Sequence, residues 1–322
     1  MAPSWVPCSL GENIDMTRAT GATGVLATPG VLSTERSAGG LGTYVSFVKP
    51  HIDLTFALVA ATGSVLAGAR SGHLPVGPVI GVVVAVALLS AGAECWTNLL
   101  DRDMDAVMRR TGRRALPSGL ISTKNATTFG AALTAGGLAV AATLGTVPLF
   151  FLIFALFNNV IVYSALTKRT TPWSIVLGSG VGPLTLWAGY SAVAEPISRA
   201  ALLLGAMVAA WVPVHIWAIA TRYRDDYARA SIPMAPVVWG RRSLAAASAV
   251  SGLAMGALAT WGIASIGGRA AAWAAAPVAV VSAAVVVWSS LLPWREQWAS
   301  RLIRLVTAYL VVVLVVAIGL AA

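Results

Sequence analysis

Thr97-Asn98-Leu99-Leu100-Asp101-Arg102-Asp103-Met104-Asp105 closes a long apolar segment and sets three carboxylates within five positions. Asp101 and Asp105 stand four apart, so on a helix they share one face while Asp103 points the other way. Carboxylates at the edge of a membrane segment are costly to desolvate and are functional candidates by default. Two on one face suit Mg²⁺, which takes one or two protein oxygens and completes its shell with water and substrate phosphates. The basic run that follows, Arg109-Arg110-Thr111-Gly112-Arg113-Arg114, supplies the counter-charge a diphosphate needs.

Of the 322 residues, 57% are hydrophobic and 11% charged. Soluble domains carry about 25% charged residues, so the chain reads as an integral membrane protein. Long apolar stretches separated by polar loops indicate helices, because a membrane barrel would alternate every second residue. Nine spans are expected, near 52–70, 76–99, 126–145, 147–166, 174–194, 200–221, 243–264, 270–292 and 303–321.

The net charge of +10 would suit nucleic acid, but its placement argues against such a partner. With nine spans, 19 of the 22 Lys and Arg fall on the side of the N-terminus and of the loops at 101–125, 167–173, 222–242 and 293–304. Only Arg70, Arg199 and Arg269 lie opposite. The positive-inside rule makes the rich side cytoplasmic, with the N-terminus inside a cell membrane and the C-terminus outside. Cys8 and Cys95 are too few for a disulfide framework or a thiolate metal site. Residues 1–45, rich in Gly, Ser, Thr and Pro, lack the pattern of a signal peptide and read as a disordered cytoplasmic extension. Residues 46–322 form one domain.

The loops after the second and sixth spans hold most of the charge, and both open on acids. The second reads Arg222-Tyr223-Arg224-Asp225-Asp226-Tyr227-Ala228-Arg229 and then Pro233-Met234-Ala235-Pro236. Their spacing suggests two related halves whose loops face one another. Inside the spans, Glu94, Thr97 or Asn98, Asp101 and Asp105 make one polar helical stripe. Asn158 and Asn159, His215, and Lys49 with Asp53 are further candidates to line a cavity. For the two asparagines interhelical hydrogen bonding is the expected role. Trp173, Trp239, Trp294 and Trp298 lie near span ends and suit interfacial anchors.

On these motifs the chain resembles the UbiA superfamily of intramembrane prenyltransferases, and most closely its protoheme IX farnesyltransferase branch. The resemblance spans roughly residues 45–320. It is carried by Val48-Lys49-Pro50, Asp101-Arg102-Asp103-Met104-Asp105, Met108-Arg109-Arg110-Thr111, Arg114-Ala115-Leu116-Pro117-Ser118-Gly119, Leu166-Thr167-Lys168-Arg169-Thr170 and Asp225-Asp226-Tyr227-Ala228-Arg229 with Ile232-Pro233-Met234-Ala235-Pro236-Val237-Val238. It implies an all-α fold of nine helices around a lipid-facing cavity, with farnesyl diphosphate and Mg²⁺ as ligands. The reaction it implies is alkylation of a vinyl group of heme b. The chain differs from the branch at Thr97-Asn98, Glu94, His51 and Pro213-Val214-His215-Ile216, departures that affect the acceptor-side positions more than the diphosphate machinery.

Under this resemblance Asp101 and Asp105 ligate Mg²⁺, with Asp225 or Asp226 assisting from the opposite loop. Arg110, Arg114, Lys168, Arg222 and Arg224 donate to phosphate oxygens, while Lys49, Asn98 and Tyr227 complete the substrate-binding set. Trp187, Trp211, Trp217 and Tyr190 are candidates to face the allylic cation. His215 is a packing donor, a base or an acceptor contact, and Glu94 is a protonated packing residue or a base. Three rival expectations remain: an aromatic or specialised-metabolite acceptor, a terpene cyclase using the same machinery, and a transporter with the acidic stripe as its ion path.

Overall fold

The computed structural model describes residues 40–291 and 296–322. Most of the N-terminal extension expected over 1–45 therefore lies outside the described residues, as does Trp294. Residues 41–45 belong to a short helix, α1 (Leu41–Phe47), so helical structure starts before the expected boundary.

The long helices are α2 (Pro50–Ser71), α3 (Val76–Leu100), α5 (Thr123–Thr143), α6 (Thr146–Phe157), α9 (Arg199–Arg222), α12 (Arg241–Ala264), α13 (Gly268–Leu291) and α14 (Ala299–Ala321). A π-helix over Asn158–Thr167 prolongs α6. Between them lie α4 (Arg102–Val107), α7 (Ser174–Leu177), α8 (Val181–Ser191), α10 (Arg224–Arg229) and α11 (Ala235–Val238). No strand occurs among the described residues. Eight helices, counting α6 with its π-helical extension as one, are long and apolar enough to cross a membrane.

The expected span at 174–194 is not one regular helix. It is built from α7, a 3₁₀ turn at Gly178–Gly180, and α8. The reason lies on the neighbouring segment. Asn158 donates from Nδ2 to the Leu177 carbonyl at 2.9 Å, taking up an acceptor at the end of α7. A Cβ on Gly178 would stand 2.8 Å from the Tyr163 Cβ, and one on Gly180 would stand 3.2 Å from the Asn158 amide. The π-helix and the broken helix thus press together where only glycine fits. Asn158 makes the interhelical bond expected of it.

Elsewhere local signals set the helix ends. Lys49 adopts a left-handed conformation (φ 48°) directly before Pro50, which starts α2 with its φ already helical. Ser122 and Ser198 cap α5 and α9 by accepting the N–H groups of Asn125 (3.1 Å) and Ala201 (3.3 Å).

Packing between helices relies on small residues, as it must where lipid removes the hydrophobic drive for helix association. Helices α2 and α8 touch backbone to backbone. A Cβ on Gly63 would sit 2.0 Å from the Leu186 carbonyl oxygen, and one on Gly189 would sit 1.9 Å from that of Ala60. Ser64 ties the same pair by donating to the Gly189 carbonyl at 2.8 Å. Trp96 Nε1 donates to Thr134 Oγ1 at 3.0 Å between α3 and α5. The largest core cluster joins α2, α8, α9, α12, α13 and α14, with Leu186, Leu204, Met207, Met255, Ile263 and Leu310 fully enclosed. Large apolar side chains such as Phe150, Phe154, Phe157, Trp273 and Val280 point outward. In water each exposed side chain would cost about 25 cal/mol per Å² of apolar area, a cost that lipid removes.

A second cluster sits at the end of the bundle that carries the acidic loops. Met104, Met108, Ile175, Trp217, Tyr227, Ile232, Met234 and Leu244 pack together and hold the segment after α3 against the segment after α9.

Candidate active site

Helix α3 ends at Leu100 and α4 begins at Arg102, yet the turn between them keeps helical spacing, because Asp105 N–H donates to the Asp101 carbonyl at 2.8 Å. Asp101 and Asp105 are both buried and Asp103 is exposed, the division expected from their register.

Each buried carboxylate has its own cation. Lys168, just past the π-helix, pairs with Asp101, and Arg114 donates to Asp105 Oδ2 at 2.7 Å. Burial works against the charge on Lys168, but Tyr163 and Asp101 beside it hold its pKa above the ordinary lysine value. The ammonium also lies 5.6 Å from the Tyr163 ring centre. The second oxygen of Asp101, Oδ1, is buried with no hydrogen-bond partner. A buried carboxylate oxygen left unpaired is costly, and a hard cation is the ligand that would satisfy it. Among the described residues no three His, Cys, Asp or Glu gather to enclose a metal. The unpartnered oxygen of Asp101, with the Asp105 carboxylate one turn on, fits Mg²⁺, which needs few protein ligands and takes the rest from phosphate and water.

The loop after α9 meets this site through Asp226. Both of its oxygens accept backbone N–H groups from the opposite loop, Oδ1 from Arg109 (3.2 Å) and Oδ2 from Arg110 (3.1 Å). Arg229 also pairs with Oδ1. Asp226 is expected from the sequence as a metal-assisting group. In the structure its two oxygens clamp the two loops together. Asp225 is exposed and makes no ion pair among the described residues. Tyr227 is buried in the apolar cluster beneath the loop.

Two cavities open beside the acids. One of about 430 Å³ is lined by Lys49, Asn98, Arg110, Arg113 and Arg114 together with α1. In it Asn98 donates to the Phe47 carbonyl at 3.1 Å, which fastens α1 to α3. The other, of about 500 Å³, is lined by Arg110, Arg222, Arg224 and the Asp225–Asp226 turn. Arg222 bonds the Ser300 hydroxyl and Arg224 Nε donates to the Pro236 carbonyl at 2.8 Å. These two arginines thus stand apart from Arg114 and Lys168, with which the sequence groups them. Arg113, part of the same basic run, also lines the first cavity.

Glu94 forms an ion pair with Lys49. His215 stacks on Trp211 (ring centres 4.5 Å apart) and lies 3.3 Å from the Thr307 hydroxyl on α14. Its contacts do not include the acidic cluster. Of the aromatic candidates, Trp217 and Tyr190 are enclosed in packing, and Trp187 and Trp211 donate to the Ala201 and Val306 carbonyls. A narrow apolar cavity of about 40 Å³ lies between α2, α3, α6 and α8, lined by Phe56, Leu89, Ser90, Leu152, Asn159 and Thr185. Asn159 is therefore a cavity residue, unlike Asn158.

The family model described as the UbiA prenyltransferase family matches residues 56–310. The chain belongs to this family. Its curated relatives include a protoheme IX farnesyltransferase of Thermoplasma acidophilum, 39% identical over 59% of this chain and 67% of the relative. The protoheme IX farnesyltransferase of Pyrobaculum arsenaticum is 33% identical over 67% of this chain and 77% of its own length. Among solved structures, a digeranylgeranylglyceryl phosphate synthase superposes with a TM-score of 0.69 at 18% identity, over 87% of this chain and 98% of the other. A UbiA homologue from Archaeoglobus fulgidus bound to GPP and Mg²⁺ gives 0.63 at 18% identity, over 85% and 99%. At such identity these likenesses establish the fold of this prenyltransferase and leave its substrates to the site itself.

Proposed function

We propose that this prenyltransferase transfers the farnesyl group of farnesyl diphosphate to heme b, the chemistry named for its curated relatives. The observation that carries the reading is the pair of buried carboxylates, Asp101 and Asp105, each with a cation and one with an orphaned oxygen. Asp101 and Asp105 would hold Mg²⁺, which when bound neutralises charge growing on the departing diphosphate. Arg110, Arg113 and Arg114 face the cavity and donate to phosphate oxygens, with Lys168 behind Asp101. Because these donors are fixed before reaction, they favour the transition state, where the C–O bond breaks and the leaving group gains charge. The π pair of the acceptor vinyl group then bonds its terminal carbon to farnesyl C1 as diphosphate leaves, and water adds to the inner vinyl carbon with loss of a proton, giving a hydroxyl there. The prenyl chain runs into the apolar cavity beside Phe56, Leu89 and Leu152 and widens it.

The same reading places nine spans in the cell membrane, with the active loops on the cytoplasmic side. Two supports stand behind it. Most Lys and Arg fall in those loops. Asp226 bonds Arg109 and Arg110, so the loops after α3 and α9 share a side. An even number of crossings must separate them, and the count is even only when the broken helix at 174–191 is itself a span.

The test is incubation of the purified protein in lipid with Mg²⁺, farnesyl diphosphate and heme b, followed by mass spectrometry. A heme product heavier by a hydrated farnesyl group is expected. Release of diphosphate with heme unchanged would move the acceptor to an aromatic compound or the enzyme to a terpene cyclase. No diphosphate release at all would remove the prenyl-transfer assignment.

A further inference from the structure

Glu94 is a half-buried acid in a membrane helix, and holding a diphosphate gives it no task. It pairs with Lys49 from across the α2–α3 contact through one oxygen, Oε2. Among the described residues no hydrogen bond reaches its other oxygen. A second carboxylate stands close by. Asp53, in the first turn of α2, lies beside Ser90 and Glu94, and its Oδ1 is enclosed without a hydrogen-bond partner. Two acids sharing one lysine at membrane depth are costly to keep. Of the two, Glu94 has the oxygen left open.

Its place along α3 is where the substrate's two halves must join. Ser90, Glu94 and Asn98 follow one another by four, so they share one face of the helix. Ser90 lines the apolar cavity assigned above to the prenyl chain. Asp101 lies seven residues the other way, about 10 Å of helical rise. A diphosphate held at Asp101 and Asp105 and a chain passing Ser90 therefore meet at the level of Glu94, and the atom at that junction is farnesyl C1. The acceptor vinyl group must reach C1 there, so the cation left on the inner vinyl carbon forms there too. That carbon then needs a water and a place for its proton. Ser90 and Asn159, toward the loop-side end of the apolar cavity, are polar in a mostly apolar wall. A cavity of about 40 Å³ with such groups has room for a water.

We propose, on the heme reading given above, that Glu94 is the base of the hydration step that closes the reaction. The oxygen of a water beside Ser90 bonds the inner vinyl carbon, the electrons of one O–H bond stay on that oxygen, and the proton passes to the open Glu94 oxygen. Before that transfer the carboxylate opposes the positive charge developing on the acceptor. Lys49 orients Glu94 through the other oxygen. It also lines the larger polar cavity, through which the proton leaves.

The test compares wild type, Glu94→Gln and Glu94→Asp in lipid with Mg²⁺, farnesyl diphosphate and heme b. Rates and product masses are read together, and farnesyl diphosphate binding by each variant verifies its fold. Glu94→Gln should bind farnesyl diphosphate like the wild type and form the hydrated product about 10²-fold more slowly, the scale of a lost general base. In its place the alkene should appear, lighter by one water, because the cation then sheds a proton from the neighbouring carbon. Glu94→Asp should restore most of the hydrated share. An ion pair with only a structural role would lower rate or stability and leave the product composition unchanged.

A wild-type share of hydrated product in Glu94→Gln overturns the proposal, as does a loss of farnesyl diphosphate binding in step with turnover. Should Glu94→Gln fail to fold with Lys49 unpaired, Lys49→Met/Glu94→Gln removes both charges and should show the same shift to the alkene. Hydrated product at the wild-type share in that double variant also overturns it. If the wild type releases diphosphate and leaves heme unchanged, the heme reading falls and the hydration role with it. A wild-type heme adduct whose composition is indifferent to Glu94 removes the role of Glu94 alone.

Discussion

The Asp226 carboxylate accepts the backbone N–H of Arg110 at 3.1 Å across 116 positions of sequence. With the matching bond to Arg109 it fixes where the basic run begins relative to α10. A carboxylate bonded in this way orders the two loops against one another. Asp226→Ala should lower stability by about 2–3 kcal/mol, the scale of lost hydrogen bonds to a charged acceptor, and turnover should fall with it. Asp225→Ala, at an exposed position, should leave the unfolding temperature unchanged. Thermal unfolding of the two variants in detergent checks this, and equal effects would remove the clamp.

Asp101 and Lys168 form a buried pair whose members depend on one another. Asp101→Asn should cut turnover by about 10²–10³-fold, as expected when charge stabilisation in a transition state is lost. It should also destabilise the fold, because Lys168 is left charged and unpaired. The double variant Asp101→Asn/Lys168→Met should recover much of the unfolding temperature and none of the activity. A double-mutant cycle on both readouts measures this. Additive losses in stability would mean the pair is not coupled.

Gly63 and Gly189 allow α2 and α8 to meet at backbone distance. The atoms in the way are main-chain carbonyls, which cannot rotate aside. Gly189→Val should cost at least the ~1–3 kcal/mol typical of overpacking and reduce the yield of folded protein. Gly319→Ala, with nothing within 4 Å of the added carbon, should be neutral. Size-exclusion profiles and unfolding temperatures of the two variants distinguish a helix contact from a general intolerance of side chains.

Topology can be tested by labelling. In a Cys8→Ser background, Asp103→Cys should react with an impermeant thiol reagent only from the cytoplasmic face. Arg269→Cys should react only from the opposite face. Both are exposed positions at the two ends of the bundle. Labelling of both from one side would exclude nine spans.

The membrane class, eight of the spans and the division between Asp101, Asp105 and Asp103 were legible in the chain, since each depends on local periodicity or composition. Helical register alone puts residues four apart on one face, and lipid requires continuous apolar segments. The cations beside the acids were legible as a group and not as pairs. Nothing local tells Arg114 to take Asp105 or Lys168 to take Asp101.

Other features arose only when distant segments met. The break at Gly178–Gly180 follows from Asn158 and Tyr163, which lie on another helix. Asp225 and Asp226 are adjacent and chemically identical, yet one is exposed and the other is spent on the backbone of a loop 116 positions away. His215 met Trp211 and Thr307 rather than the acids. Periodicity fixes which way a side chain faces on its own helix. Packing across the bundle decides what it finds there, and so separates a residue that serves the reaction from one that holds the site in shape.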